Sequence, residues 1–289
     1  MLLRVAHTPD ADDAFMFYAL AAKKLDTWLE IEHVVEDIET LNRKALEGVY
    51  EVTAISAHAY AYVCDRYRIL ATGASVGDGY GPIVVAKERL DLRGKRIAVP
   101  GRYTTAYLLL RLAVPEFEAV EMRFDEVIDA VVSGECDAAL LIHDAQLGYK
   151  DVGLVKVLDL WEWWNSRFSL PLPLGLNAIR RDVDAEVARE FLRCMKESVD
   201  YALRNVDEAL EYAMKYSRLD KERTRKFVLM YVNDYTREMP ESVVRALETL
   251  YGEAEKFLGK KPPLDVLRIG GVDSQTGCQQ NPHSDFNGC

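Results

Sequence analysis

The sequence lacks any long apolar run, and it lacks an excess of basic residues. No run in it approaches the roughly 18 apolar residues that a membrane-spanning helix needs, so we expect no insertion into a membrane. The 289 residues include 36 lysines and arginines against 47 aspartates and glutamates, for a net charge of −11. Because a surface of this sign repels phosphate backbones, we do not expect nucleic acid as a partner.

Closely spaced cysteines and a secretory leader are also missing. The five cysteines form no CxxC pair, which argues against a zinc site or a disulfide framework. The first residues, MLLRVAHTPDADD, contain no apolar segment of signal-peptide length before the acidic residues begin. These two features predict a cytoplasmic location, reduced thiols and no metal.

What the sequence does contain is one supersecondary unit in two copies. Hydrophobic periodicity predicts strand, helix, strand, helix and strand in each copy. The first copy has strands at 2–7, 29–35 and 52–55, with helices after Pro9 and at 39–47. The second has strands at 95–99, 119–124 and 137–142, with helices at 104–113 and 125–133. Strands joined by helices favour mostly parallel sheets, and the alignment of the third strands places Ala57 opposite His143.

The rest of the chain predicts how the two copies are arranged. An extended Pro-Leu-Pro segment leads to a strand at 176–179, and the pattern from Asp184 to Leu258 is almost wholly helical. We predict an α/β fold with two lobes that face each other across a cleft. Residues 1–86 and 176–270 form a discontinuous first lobe, and residues 87–175 form the second. Residues 271–289 are rich in Gly, Ser, Gln and Asn, which predicts a poorly ordered tail without a metal site.

Candidate functional residues follow the strands, because parallel α/β sheets bind ligands at the carboxyl ends of their strands. His143 ends an apolar strand, and an imidazole there can serve as a general base. Thr104 and Thr105, followed by Ala106, begin a helix after a tight turn, which is typical of a seat for a carboxylate. A simple helix cap is the alternative interpretation of the two threonines. Ser56 ends another strand, where its hydroxyl can either contact a ligand or cap the helix that follows.

Several polar residues near these strand ends favour structural roles. Asp10 and Asp12 lie at the start of a helix, where carboxylates offset the positive end of the helix dipole. For Asp13 that role and ligand binding both stay open. His58 is interpreted as a structural histidine. The glycine-rich segment 73–82 lacks the Lys-Ser/Thr of a phosphate loop, so we interpret it as a hinge or a cleft wall.

Five blocks of the sequence resemble one enzyme family. HTPDADDAFMFYAL, EDIETLNRKALEG, PGRYTTAYLLLRL, LLIHDAQLGY and LPLPLGLNAIRRD are similar to the 1,4-dihydroxy-6-naphthoate synthase family of the futalosine route to menaquinone. The resemblance is spread over residues 3 to 260. It implies the type II periplasmic-binding-protein fold, in agreement with the duplicated unit.

The resemblance also implies an activity and site residues. It implies a cofactor-free carbon–carbon lyase that converts cyclic dehypoxanthine futalosine, a small carboxylated substrate, to 1,4-dihydroxy-6-naphthoate and a ribose-derived fragment. His143 matches the family's proton acceptor. The substrate-binding positions match six residues: Ala54, Ile55, Ser56, Thr104, Thr105 and Ala106. Only Asp13 and the flanks of the family's S-P-C-P-N-D-T-F loop are kept in residues 8–15. Chorismate dehydratase of the same route and a non-catalytic carboxylate-binding protein remain the alternatives.

Overall fold

The computed structural model describes residues 2–270, which form an α/β fold. The strands are β1 (Leu2–His7), β2 (Glu30–Val35), β3 (Val52–Ser56), β4 (Tyr67–Leu70), β5 (Ser75–Gly77), β6 (Ile83–Ala86), β7 (Arg96–Val99), β8 (Glu118–Glu121), β9 (Ala138–Leu141), β10 (Val155–Asp159), β11 (Leu172–Arg180) and β12 (Val266–Leu267). The predicted tail, 271–289, lies outside the described residues.

The helices alternate with strands up to β11 and dominate the chain after it. They are α1 (Ala11–Met16), α2 (Tyr18–Ala21), α3 (Ile38–Glu47), α4 (Ala57–Val63), α5 (Thr105–Ala113), α6 (Val127–Ser133), α7 (Ala145–Gly148), α8 (Leu160–Phe168), α9 (Ala185–Arg204), α10 (Val206–Ala213), α11 (Lys221–Tyr231), α12 (Asp234–Arg237), α13 (Glu241–Glu253) and α14 (Glu255–Leu258). The helical C-terminal pattern is therefore confirmed, and each predicted helix in the two repeated units is present.

The strands form two sheets, one built on each copy of the repeated unit. The first has the order β12-β4-β11-β3-β1-β2, with β5 also paired to β11, and the second has the order β10-β6-β9-β7-β8. Within the units the pairing is parallel, as predicted: β1 pairs with β2 and β3, and β7 pairs with β8 and β9. Strands β11, β6 and β10 add antiparallel pairs, so both sheets are mixed. The sequence pattern missed this because periodicity reports a strand but not its direction.

The chain passes between the two sheets twice. It leaves the first sheet after β5 and joins the second at Ile83, then returns at Leu172. The predicted lobe boundaries, after residues 86 and 175, lie a few residues later than these crossings. The difference arises because β6 and the first part of β11 are short extended segments. Only their hydrogen bonds to β9 and to β5 show which sheet they join.

The C-terminal helices pack on the first sheet, which makes that lobe discontinuous in sequence. Helix α9 begins at a cap in which the Asp184 carboxylate accepts from the amides of Glu186 and Val187. Its apolar face buries Phe191 and Met195 in the same core as Val5 and Phe15 of the first unit. The opposite face is charged, and no helix within residues 2–270 has the length and apolarity to cross a membrane.

Candidate functional site

A cleft of about 690 Å³ lies between the two sheets, at the ends of their strands. All seven residues predicted for the site line it: Ala54, Ile55, Ser56, Thr104, Thr105, Ala106 and His143. They come from β3, from the start of α5 and from the residues just after β9. The structure thus brings together, in one cavity, residues that are up to 89 positions apart in sequence (143 minus 54).

His143 follows β9 and turns its imidazole towards the N-terminus of α1. Its Nδ1 lies 3.1 Å from Oδ2 of Asp10, and the side chain is 18% exposed. The edge of Phe124 contacts the ring, with the two ring centres 5.5 Å apart. The backbone of His143 has a φ of +54°, a left-handed conformation that is uncommon for residues other than glycine, asparagine and aspartate. Such a conformation is typical of functional sites, where the surrounding structure enforces it.

Asp10 pairs with His143 and does not cap α1. Although Asp10 precedes the first residue of α1, its side chain makes no cap hydrogen bond to the described part of the chain. Burial raises the pKa of Asp10 above its usual range, and the nearby His143 imidazole opposes that shift. An ionised Asp10 carboxyl at this distance stabilises a positive charge on the His143 imidazole. Asp10 also lies next to the positive end of α1, so the structural role that the sequence favours coexists with the contact to His143.

Asp13, in contrast, stabilises the turn in front of α1. Its Oδ2 accepts hydrogen bonds from the amide and from the hydroxyl of Thr8, both at 2.7 Å. The side chain is buried, and burial raises the pKa of Asp13 while the bonds from Thr8 lower it. Asp13 also lines the cleft, so the structure places this carboxyl both in the turn and at the site.

Ser56 presents a hydroxyl at the end of β3. Asn42 of α3 holds it, since its Nδ2 donates to the Ser56 hydroxyl at 3.0 Å and its Oδ1 accepts from the Ser56 amide at 2.9 Å. The Ser56 side chain makes no cap bond to α4 within the described chain. Because the hydroxyl oxygen accepts from Asn42, its own proton remains available for a ligand in the cleft.

The two threonines at the start of α5 already use their hydroxyls inside the protein. The Thr104 hydroxyl accepts from the Tyr107 amide and donates to the Gly101 carbonyl, which is the cap interpretation. The Thr105 hydroxyl donates to the Leu174 carbonyl at 2.6 Å and accepts from the His58 amide at 3.2 Å. What this helix start can offer a ligand is mainly backbone amides, because the first amides of a helix have no intrahelical partner.

Gly101 fixes the position of that helix start. Its φ is +150°, and a Cβ there would lie 2.3 Å from Oε2 of Glu39. The same Glu39 oxygen accepts from the Tyr103 amide at 3.1 Å, which ties α3 of the first lobe to the loop before α5. Burial raises the pKa of Glu39 to about 7. Only glycine fits between the two lobes at this point.

The structure adds a polar wall to the cleft that sequence reasoning missed. Asp12 of α1 and Asn177 of β11 line the cleft together with Gln146 and Tyr231. Gln146 Nε2 donates to the Tyr231 hydroxyl at 3.0 Å, across the two lobes. Asn177 and Tyr231 lie inside patterns that predict only a buried strand and a helix, so the sequence held no signal for a binding role.

The remaining candidates are His58, which we interpreted as a structural histidine, and the glycine-rich segment, which we interpreted as a hinge or a cleft wall. His58 is outside the cleft lining, with Nδ1 3.2 Å from the Thr104 carbonyl and Nε2 3.3 Å from the Tyr62 hydroxyl. Burial lowers the pKa of His58 to about 4, so it stays neutral at pH 7. In the glycine-rich segment, Gly73 and Ser75 form part of the cleft wall.

Comparison with known proteins identifies relatives of the whole chain. A family model for menaquinone biosynthesis matches residues 3–256. The 1,4-dihydroxy-6-naphthoate synthase of Thermus thermophilus is 43% identical over 255 residues, which cover 88% of this chain and 94% of that protein. The synthase of the same name from Streptomyces coelicolor is 32% identical over 260 residues, covering 87% of this chain and 92% of its own.

Solved structures agree with the predicted fold. A protein from Archaeoglobus fulgidus superposes with a TM-score of 0.87 at 68% identity, covering 89% of this chain and 97% of its own. A Candida albicans protein that exhibits the generic periplasmic binding protein fold superposes with a TM-score of 0.65 at 16% identity, covering 94% and 99%. The periplasmic-binding-protein fold of this chain is therefore confirmed.

Proposed function

Because this chain belongs to the menaquinone biosynthesis family, we propose that His143 acts as the general base of its reaction in the cleft between the two sheets. The chain is an enzyme of that pathway, a lyase that forms 1,4-dihydroxy-6-naphthoate from cyclic dehypoxanthine futalosine. The observation that carries the role of His143 is its place in the lining of the cleft with the Asp10 carboxyl 3.1 Å from its Nδ1, since this carboxyl stabilises the imidazolium that forms when His143 accepts a proton. We place the reaction in the cytoplasm, where a reducing environment suits the free thiols of Cys64, Cys136 and Cys194.

The start of α5 is the proposed seat for the substrate carboxylate. The amides of Thr105 and Ala106 begin the helix, and the positive end of the helix dipole favours an anion there. The Ser56 hydroxyl, which also lines the cleft, supplies a further donor. Since the net charge of the chain is −11, capture of a carboxylate depends on such local donors.

The proposed chemistry needs a base, a fixed substrate and a cleft that excludes water. His143 accepts one proton from the substrate, and the bond to the ribose-derived fragment breaks with its electron pair left on one of the two products. The imidazolium then returns the proton to that product. Aromaticity of the newly formed ring favours the product. Asp10 stabilises the resulting imidazolium, because its negative carboxylate lies next to the positive charge. Holding the carboxylate at α5 keeps the reacting carbon in reach of the base, which contributes to the rate.

The experiment that tests this function compares two substrates. Purified protein is incubated with cyclic dehypoxanthine futalosine or with chorismate, and naphthoate absorbance is followed over time. We expect absorbance to rise with the first substrate alone. Consumption of chorismate would identify the protein as a chorismate dehydratase. Binding of either compound without turnover would show that the protein binds carboxylates and does not convert them.

A charge placed at the start of α5 tests the carboxylate seat. Ala106 is buried and lines the cleft, so Ala106→Asp puts a negative charge beside the proposed carboxylate. We expect it to bind 1,4-dihydroxy-6-naphthoate at least about tenfold more weakly than Ala106→Asn, because two like charges in contact at a protein surface repel by more than about 1.4 kcal/mol. Calorimetry measures both affinities, and Ala106→Asn controls for size. Equal affinities of the two variants would show that the ligand carboxylate does not bind at the start of α5.

A further inference from the structure

We propose that Asp12 and Asn177 form the subsite that binds the hydroxyl groups of the ribose-derived part of the substrate. This inference rests on the proposed function and assigns a second ligand-binding wall to the same cleft. Neither residue belongs to the carboxylate seat or to the Asp10–His143 pair. Both line the cleft, Asp12 from α1 and Asn177 from β11.

One oxygen of the buried Asp12 carboxyl group has no hydrogen-bond partner among the described residues. The residue is 6% exposed, and the oxygen is Oδ1. An unpaired polar atom in such a place lowers the stability of the fold. Burial beside the carboxyls of Asp13 and Asp10 raises the pKa of Asp12 well above its usual range. In its neutral form this carboxyl group can donate one hydrogen bond and accept others.

Asn177, which also lines the cleft, contains a second unpaired atom. Its Nδ2 donates to the Gly73 carbonyl at 2.8 Å, which orients the amide so that Oδ1 is the free end. That Oδ1 is buried and has no partner within residues 2–270, and the residue is 2% exposed. Gly73 has a φ of +89°, and a Cβ there would lie 2.6 Å from Asn177 Nδ2, so the glycine permits this orientation.

The chemistry of the two atoms selects the ligand. A neutral acid donates and an amide oxygen accepts, and a hydroxyl group can satisfy either one. A carboxylate would be repelled by the aspartates at Asp10 and Asp13 that share this end of α1. The ribose-derived part of the substrate carries hydroxyls, whereas the naphthoate product retains the carboxylated rings. The product is therefore a natural control ligand, because it lacks the part that this subsite would bind.

The test compares substrate and product in three variants. Asp12→Leu and Asn177→Leu remove the polar atoms, and Asp12→Asn keeps a neutral group that donates and accepts. We expect each leucine variant to raise KM for cyclic dehypoxanthine futalosine about tenfold or more, and Asp12→Asn to recover most of that loss. We expect the Kd of 1,4-dihydroxy-6-naphthoate to change less than about twofold in all three. An unchanged KM, or an equal loss of affinity for substrate and product, would show that Asp12 and Asn177 do not bind the ribose-derived part.

Thermal stability separates this role from a structural one. Since the pKa of Asp12 is raised by folding, the folded state favours the protonated acid, and the loss of stability grows as pH rises above the ordinary carboxyl pKa. Asp12→Asn should therefore raise Tm, and by more at pH 8 than at pH 4. A lower Tm at pH 8 would show that Asp12 supports the fold and would contradict the subsite. If the wild-type protein does not convert the substrate at all, the proposed function itself has failed.

Discussion

Replacing His143 with asparagine should lower kcat by about 10²–10⁴-fold, the range for a lost general base. Asparagine cannot accept a proton near neutral pH, so the proton that leaves the substrate has no acceptor. It also tolerates the left-handed backbone that His143 adopts at a φ of +54°, better than alanine would. Steady-state conversion of cyclic dehypoxanthine futalosine, followed by naphthoate absorbance, measures the loss.

Binding and folding are the controls for this variant. The carboxylate seat at Thr105 and Ala106 is untouched, so the Kd of 1,4-dihydroxy-6-naphthoate should stay within about threefold. The Tm should change little, because His143 is partly exposed to the cleft and its removal opens no core cavity. Normal turnover by His143→Asn would show that the base is another residue. Unfolding of the variant would show instead that the histidine supports the fold.

Replacing Asp10 with asparagine should lower kcat by about 10–100-fold with little change in product affinity. The asparagine has nearly the same size but no charge, so the imidazolium formed during the reaction loses its paired carboxylate. A loss of this size corresponds to about 1.4–2.7 kcal/mol of lost stabilisation of the imidazolium. Asp10 contacts His143 and not the reacting atoms, so it is a positioning residue.

Asp13→Asn is the matched control for Asp10→Asn. Asp13 lies three residues further along the same segment and is equally buried, but its Oδ2 is bonded to Thr8. We expect Asp13→Asn to lower Tm more than kcat, and Asp10→Asn to show the opposite order. Similar losses of kcat in both variants would mean that any change of charge near α1 lowers activity. The pairing of Asp10 with His143 would then have no specific role.

A double-mutant cycle tests whether Asp10 acts through His143. In the His143→Asn background, Asp10→Asn should cause no further loss of kcat, because the residue that it orients is already missing. The same cycle with Asp13→Asn should give independent effects. Additive losses for Asp10 and His143 would show that the carboxylate contributes to the reaction separately.

The sequence alone predicted the repeated βαβαβ unit and the residues at its strand ends. Both depend on local patterns: alternation of period two, apolar stripes of period 3.6, and glycines such as Gly48 and Gly134 that end α3 and α6 in the left-handed conformation. The carboxyl ends of parallel strands meet at one edge of each sheet, so two such sheets that face each other assign Ser56 and His143 to the cleft between them. The resemblance to a family then implied the reaction.

Tertiary structure alone decided which side chains face one another. Asp10 and Asp13 have the same chemistry and the same local setting, yet one pairs with His143 and the other with Thr8. The first of these contacts joins two lobes and spans 133 residues (143 minus 10), so no local periodicity encodes it. The unpaired atoms of Asp12 and Asn177 likewise depend on which surfaces packing leaves opposite them. Local patterns determine where a chain turns, whereas the partner of a buried polar atom is determined only when distant segments pack together.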